Sequence, residues 1–311
     1  MSAAATMPSN SATDERRLLR FETSLDIVRE INRLRHGGYT QHANWSLPQM
    51  CWHLSVPLKK RMKPPVSTTP TPEQAALQRK IIEPILATGK APPGMQPPPE
   101  MIPPQQCAET SIDDFLALLD QLDKYEHDYV DFGAMGPVKT DVLRQITRFH
   151  TAHHLAFLEP KYTRRDLSYA NEDEVIADVE KLRRGHVRLG AWTFDQICWH
   201  LEQGVRYRMA PPPHPPNTPE QDARVGVLKQ VLASGKLPGN IVAPDPMVPP
   251  KDPGPHAVDS FLQSMREFKA FPGPIAPHRI FGKLRDEGDA RRLNLIHCAH
   301  HLSYLVPTTA N

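Results

Sequence analysis

The sequence lacks the features that mark membrane, secreted and nucleic-acid-binding proteins. No apolar run approaches the ~18–20 residues of a membrane helix, and residues 1–17 lack the apolar core of a signal peptide. The 37 basic and 35 acidic residues leave a net charge of +2, which gives no electrostatic reason to expect nucleic acid as a partner. The four cysteines form neither a short-spaced pair nor a dense framework. A reduced, cytoplasmic protein is the prediction.

Aromatic residues and strand-forming runs are also scarce, which favours helices. Hydrophobic residues make up 39% of the chain, enough for packed cores, and 311 residues suggest two domains at roughly 100–200 residues each. Proline and histidine occur in unusually high numbers, with 34 and 15 copies. Residues 1–16 are small and polar, and we expect them to form a disordered tail.

The chain repeats itself at a period of 147 residues. WSLPQMCWHL at 45–54 matches WTFDQICWHL at 192–201, and HTAHHLAFL at 150–158 matches HCAHHLSYL at 297–305. Between these anchors, Met101-Ile-Pro-Pro pairs with Met247-Val-Pro-Pro. A period this long indicates a duplicated domain rather than a solenoid. The predicted copies span 17–162 and 163–311.

Helical periodicity and stop signals give the same plan in both copies. We predict an all-α fold of two tandem four-helix bundles, each with a long proline-rich crossover between its second and third main helices. The predicted helices of the first copy lie at 23–36, 46–62, 72–88, 111–126 and 138–158. Those of the second copy lie at 171–184, 193–209, 219–234, 257–268 and 285–305.

Three histidines in each copy are the candidate metal ligands. His150 and His154 lie four residues apart on one predicted helix, so both side chains share a face with Cβ atoms about 5–6 Å apart. His53 lies on the inward stripe of the second helix, 97 residues before His150. The second copy repeats this set with the same interval, as His200, His297 and His301. Three imidazoles leave a coordination position open, as catalytic zinc sites do.

The alternative is that these are core histidines satisfied by hydrogen bonds. A buried cluster of three imidazoles without a metal is costly unless each finds a partner. The set also occurs twice with its spacing intact, which favours a divalent metal.

Other repeated residues are candidates for supporting roles, and no catalytic residue is assigned. His153 and His300 precede the last ligand and can be outer groups, proton carriers or interface histidines. Gln49 and Gln196 lie four residues before the helix-two ligand, and they can orient a ligand, contact a substrate or be ordinary helix residues. Cys51 and Cys198 point away from the ligand face and are predicted to be small buried hydrophobes.

Basic residues recur after the helix-two histidine. They can attract an anionic substrate or simply form a solvated helix end, where cations are favourable. These residues are Lys59, Arg61, Arg206 and Arg208.

These segments resemble the DinB/YfiT-like superfamily, and most closely its domain-of-unknown-function family 1569. The segments that carry the resemblance are GGYTQHANWSLPQMCWHL with FHTAHHLAFL, and GHVRLGAWTFDQICWHL with IHCAHHLSYL. The resemblance implies an all-α bundle with a three-histidine site for zinc or nickel, or for iron or manganese. It maps the ligands onto His53, His150 and His154, and onto His200, His297 and His301. Relatives often dimerise, so the duplication can build such a pair within one monomeric chain.

Two functions remain open at this stage. Superfamily relatives include thiol-dependent S-transferases and mycothiol-dependent isomerases, which implies a metal-dependent enzyme acting on a small molecule such as a low-molecular-weight thiol. Metal-assisted hydrolysis is less favoured because no carboxylate base lies on the ligand faces: Glu202 is on the wrong side and is Ser55 in the first copy. The alternative is a non-catalytic module in which the metal stabilises the bundle or senses a ligand.

Overall fold

The computed structural model describes residues 16–90, 97–211, 216–239 and 241–308, and its fold is largely α-helical. The predicted disordered tail at 1–16 lies outside these residues except for Arg16. The chain divides into a first unit, Met1–Lys161, and a second unit, Tyr162–Asn311.

The helices of the first unit begin and end close to their predicted positions. They are α1 (Ser24–Gly37), α2 (Leu47–Arg61), α3 (Pro72–Leu77), α4 (Glu83–Thr88), α5 (Thr110–Asp123) and α6 (Thr140–Leu155). Local chemistry accounts for the starts of the first two: Thr23 forms a capping box with Asp26, and the Ser46 N–H donates to Oε1 of Gln49. A glycine at positive φ, Gly38, follows α1.

The second unit repeats this order. Its helices are α7 (Glu172–Arg183), α8 (Phe194–Arg208), α9 (Pro219–Ala223), α10 (Val225–Ser234), α11 (Ala257–Ala270) and α12 (Glu287–Leu302). The N-caps are again side chains: Asn171 starts α7 and Thr193 starts α8 with a capping box.

The helix predicted over 72–88 is interrupted. A π-helical turn, Gln78–Ile82, separates α3 from α4. Pro84 supplies the reason, since its ring clashes with the carbonyl four residues earlier, at Lys80, and widens that turn. In the second unit the predicted helix at 219–234 breaks at Arg224, between α9 and α10.

The prediction of helices alone missed the six strands, of three residues each, that occur in the described part of the chain. They are β1 (Tyr39–Gln41), β2 (Tyr129–Asp131), β3 (Pro137–Lys139), β4 (Leu158–Pro160), β5 (His186–Arg188) and β6 (Leu305–Pro307). The pairs β1–β4, β2–β3 and β5–β6 are antiparallel. The last helix of each unit therefore ends before its predicted limit, because the chain turns into β4 or β6.

Helix packing brings the second and last main helices of each unit together. In the first unit α2 packs against α5 and α6, and in the second unit α8 packs against α11 and α12. Most of the buried apolar side chains of the first core come from four helices, α1, α2, α5 and α6. They include Ile27, Ile31, Met50, Leu54, Phe115, Leu119, Leu143 and Leu155. Among the described residues, no helix combines the length and apolar character needed to cross a bilayer.

Candidate metal centres

The first triad consists of His53 on α2 with His150 and His154 on α6. The Nε2 atom of His150 lies 3.1 Å from Nε2 of His53 and 3.0 Å from Nε2 of His154. One donor atom from each residue falls within 4.8 Å of the others. His53 is buried, and the other two side chains are partly buried. The sequence-predicted ligands of the first copy therefore do come together.

The second triad, His200 on α8 with His297 and His301 on α12, repeats this geometry. Nε2 of His200 lies 3.0 Å from Nε2 of His297, and the three donor atoms again fall within 4.8 Å of one another. His200 is 3% exposed, close to the 2% of His53. Both copies of the repeat thus build the same constellation.

A backbone carbonyl fixes the tautomer of the helix-two histidine in each triad. Nδ1 of His53 lies 2.7 Å from the carbonyl oxygen of Met101, and Nδ1 of His200 lies 2.7 Å from that of Met247. Because a carbonyl oxygen only accepts, each Nδ1 carries the proton and donates it. The Nε2 lone pair of each ring is then free to face the other two imidazoles, as in a metal ligand.

The two methionines were not among the predicted site residues. Met101 ends the 3₁₀ turn Pro99–Met101, and Met247 ends the equivalent turn Asp245–Met247. The repeated Met-x-Pro-Pro pattern was the available signal. This pattern indicates the repeat but does not point to the site, because the atom that each methionine contributes is its backbone carbonyl oxygen.

Burial and mutual proximity keep the triads neutral. Burial lowers the pKa of His53 and of His200. Burial first, and then the charges of neighbouring histidines, lower the pKa of His150, His154, His297 and His301 well below the ordinary value. Neutral imidazole is the form that ligates metals.

A tryptophan forms one wall of each triad. The ring of Trp45 is stacked on that of His154 at 5.5 Å between centroids and lies 4.9 Å from that of His53. Trp192 stacks on His301 at 5.4 Å in the same way. These contacts give the two tryptophans a role in holding the imidazoles.

Gln49 and Gln196 hold backbone groups rather than the imidazoles. Oε1 of Gln49 accepts from the Ser46 N–H, and its Nε2 donates to the carbonyls of Pro104 and Gln105 at 3.0 and 3.1 Å. Gln196 makes the equivalent bonds to Thr193, Pro250 and Lys251. These bonds tie the start of α2 or α8 to the segment that carries the methionine carbonyl. A contact with substrate remains a hypothesis for both residues.

His153 and His300 lie beside the triads and are not members of them. The His153 side chain is exposed, and its ring lies 5.0 Å from that of His154. The ring of His300 lies 5.0 Å from that of His301, and Nη2 of Arg164 lies 3.3 Å from its Nδ1. A role as proton carriers stays a prediction.

The buried cysteines match their prediction as core residues. Cys51 and Cys198 are fully buried, as is Cys298, and burial raises the pKa of all three thiols. Neither triad includes a cysteine. Nucleophilic chemistry therefore has no protein thiol at either centre.

Comparison with known protein families gives two matches. The model described as "Protein of unknown function (DUF1569)" matches residues 13–161 and again residues 162–308. The chain belongs to this family. Each matched segment of this DUF1569 chain contains one complete triad, so the tandem duplication includes the site. No curated protein and no solved structure matches the chain.

Proposed function

We propose that each unit is a DinB-like four-helix bundle that binds one divalent metal ion through its triad, with domains at 17–162 and 163–311. The protein is then a metal-dependent enzyme acting on a small molecule, and transfer involving a low-molecular-weight thiol is the favoured reaction. The observation that carries the proposal is the convergence of three neutral imidazoles, made twice in one chain.

The triads fit a metal ion in spacing and donor type. Tetrahedral zinc with Zn–N bonds of about 2.0–2.1 Å places two ligating nitrogens roughly 3.3 Å apart. The Nε2 atoms of His53 and His150 are separated by 3.1 Å, so a small relaxation suffices. Imidazole donors suit zinc, nickel and iron better than calcium or magnesium. We therefore favour zinc or nickel, with iron or manganese as further candidates.

The number of ligands supports a catalytic rather than a closed centre. Among the described residues, neither group contains a fourth histidine, cysteine or carboxylate. Three protein ligands with an open position are typical of catalytic zinc, whereas structural zinc has four. When bound, such an ion supplies Lewis acidity that lowers the pKa of a coordinated thiol or water.

The residues of the chain favour thiol transfer over assisted hydrolysis. Glu202, the carboxylate nearest to His200 in sequence, accepts from Nε of Arg206 at 2.6 Å and is therefore engaged as an ion-pair partner. No protein carboxylate is thus assigned to deprotonate a water. Because Cys51, Cys198 and Cys298 are buried in the cores and Cys107 belongs to neither triad, the reacting thiol comes from a second substrate.

The proposal is tested with the full chain loaded with zinc or nickel. We expect metal-dependent addition of a small thiol to a model electrophile, measured beside hydrolysis of a model ester. The control is the His53→Ala, His200→Ala chain, which lacks a ligand in both centres. Ester hydrolysis without thiol addition would favour hydrolysis, and the absence of any metal-dependent rate would reject the enzyme.

The Met101 contact supports a second candidate, a non-catalytic module. A metal held by His53 would also fix the carbonyl that its Nδ1 contacts, and with it the segment between α4 and α5. This candidate predicts a large loss of thermal stability on chelation and no exchangeable water on the metal. Counting metal-bound waters by spectroscopy separates the two candidates.

A further inference from the structure

Arg61 and Arg208 occupy equivalent positions in the two units. Each is the last residue of the helix that carries the first ligand of a triad, eight residues after His53 or His200. Burial lowers the pKa of each guanidinium to about 10. After burial, the charge of Arg61 is among the causes that lower the pKa of His150, and the charge of Arg208 is among those that lower the pKa of His297. Each guanidinium therefore lies near the triad of its own unit. The predicted solvated helix end is therefore wrong for Arg208, which is 3% exposed, whereas Arg61 is only partly buried.

In the second unit the protein itself satisfies the arginine. Nη1 of Arg208 donates to the carbonyl of Ala276 at 2.8 Å, and Nη2 donates to the carbonyl of Ala290 at 3.2 Å. The side chain is 3% exposed. Arg208 is a structural residue whose hydrogen bonds hold the chain between α11 and α12.

Among the described residues, the guanidinium of Arg61 has no carbonyl partners like those of Arg208. Its guanidinium carbon lies 3.9 Å from the centre of the Phe132 ring, so one face of the group is held by a cation–π contact. Within the ranges that the structure describes, the guanidinium of Arg61 forms no hydrogen bond and no ion pair. The side-chain nitrogens of Arg61 are not buried, so solvent reaches them. The N–H edge of Arg61 is therefore open while its position is fixed.

Among the residues that the structure describes, no acid forms an ion pair with this guanidinium. Asp131, the neighbour of Phe132, is engaged by Nζ of Lys63 at 3.2 Å and by the Gly133 N–H at 2.8 Å. The open N–H edge of a guanidinium held in one position matches an incoming anion with two oxygens. The contrast with Arg208 shows that this fold can satisfy an arginine at the same position with its own carbonyls.

We propose that Arg61 binds the anionic group of a substrate, a carboxylate or phosphate, beside the first triad, and that the second triad lacks this anion site. The proposal rests on the proposed function in assigning the anion to a substrate of the metal centre. The two centres then differ in substrate class although their ligands are the same.

The test uses the full chain with one centre disabled at a time. His297→Ala leaves the first centre and His150→Ala leaves the second, and each chain is loaded with cobalt(II). Binding of 3-mercaptopropionate and of the uncharged 2-mercaptoethanol is followed by the sulfur-to-cobalt absorption band. The same titrations are made after adding Arg61→Met, with Lys59→Met as the matched control, because Lys59 is an exposed cation on the same helix end.

We expect the first centre to bind the carboxylate thiol about tenfold more tightly than the neutral thiol. Arg61→Met should remove this preference, Lys59→Met should keep it, and the second centre should not show it. Equal affinities in the parent first centre, or a preference that survives Arg61→Met, would overturn the proposal. If Arg61→Met does not fold, as judged by circular dichroism, Arg61→Gln is used with the same criteria.

Failure of the metal centre itself gives a different result. A chain that binds no cobalt, or that shows no band with either thiol, contradicts the proposed function. Binding of inorganic phosphate to the metal-free chain, measured by calorimetry, then tests whether Arg61 forms an anion site. Binding that Arg61→Met abolishes supports the site, and a parent chain that binds no phosphate overturns it.

Discussion

The Nδ1 atom of His53 lies 2.7 Å from the carbonyl oxygen of Met101, and this contact orients the first triad. It joins α2 to a segment 48 residues further along the chain. The same relationship links His200 to Met247. The donated proton fixes each ring with its Nε2 lone pair toward the other two histidines. The proline-rich connection therefore has a defined part in building the centre.

Gln49 tests whether that connection matters for stability. Gln49→Ala removes the bond from the Ser46 N–H and both bonds to the carbonyls of Pro104 and Gln105. We expect a loss of about 1–2 kcal/mol in the free energy of unfolding, measured by urea denaturation of the metal-free chain. Gln196→Ala should cost the second unit a similar amount. Gln106→Ala, at an exposed position of the same proline-rich connection, is the control. Unchanged stability with lost turnover would instead indicate that Gln49 contacts substrate.

Thiol reactivity tests the assignment of the cysteines. In the folded chain we expect Cys107 alone to react with a thiol reagent within minutes, because it is partly exposed. Cys51, Cys198 and Cys298 should react only after unfolding, since they are buried and their pKa is raised. Mass spectrometry identifies the modified residue, and Cys107→Ser should abolish the fast reaction. Fast modification of Cys51 or Cys198 would contradict their assignment to the core.

His278 predicts a loss of stability in acid. Its Nδ1 accepts the N–H groups of Ile280 and Phe281 at 3.1 and 3.3 Å, which requires the neutral ring. Burial, and then the charge of Arg208, lower its pKa to about 3. The unfolded chain, with an ordinary pKa near 6.5, binds more protons between these values, so stability is lost as pH falls through this window. Between pH 7 and pH 5, His278 alone lowers the free energy of unfolding by about 2 kcal/mol.

The variant His278→Asn isolates this effect. Asparagine keeps an acceptor for the two N–H groups and does not titrate, so the variant should lose about 2 kcal/mol less than the parent chain between pH 7 and pH 5. Unfolding is measured with chelator present. Trp45→Phe and Trp52→Phe leave Trp192 and Trp199 to report on the second unit. His256→Asn, at an exposed position, should leave the pH dependence unchanged. An unaltered slope for His278→Asn would refute the assignment.

The sequence predicted the helices and the grouping of the six histidines into two triads, because both depend on helical spacing and on the repeat. The ends of α6 and α12 were misplaced, since β4 and β6 are three residues long and their pairing partners lie over 100 residues earlier in the chain. The 3₁₀ turns at Met101 and Met247 contribute backbone carbonyl oxygens to the triads, and such a contribution cannot be predicted from the type of residue. The different environments of Arg61 and Arg208 depend on the loops that face them, and the repeat predicted the two residues to be equivalent.

The metal content of the purified full chain tests the central claim most directly, measured beside His150→Ala, His297→Ala and the double variant. We expect about two metal ions in the parent, one in each single variant and none in the double variant. His153→Ala and His300→Ala should retain both ions, because these residues lie outside the triads. A parent chain that binds no metal, even after reconstitution with zinc and nickel, would contradict the account and leave the six histidines as core residues.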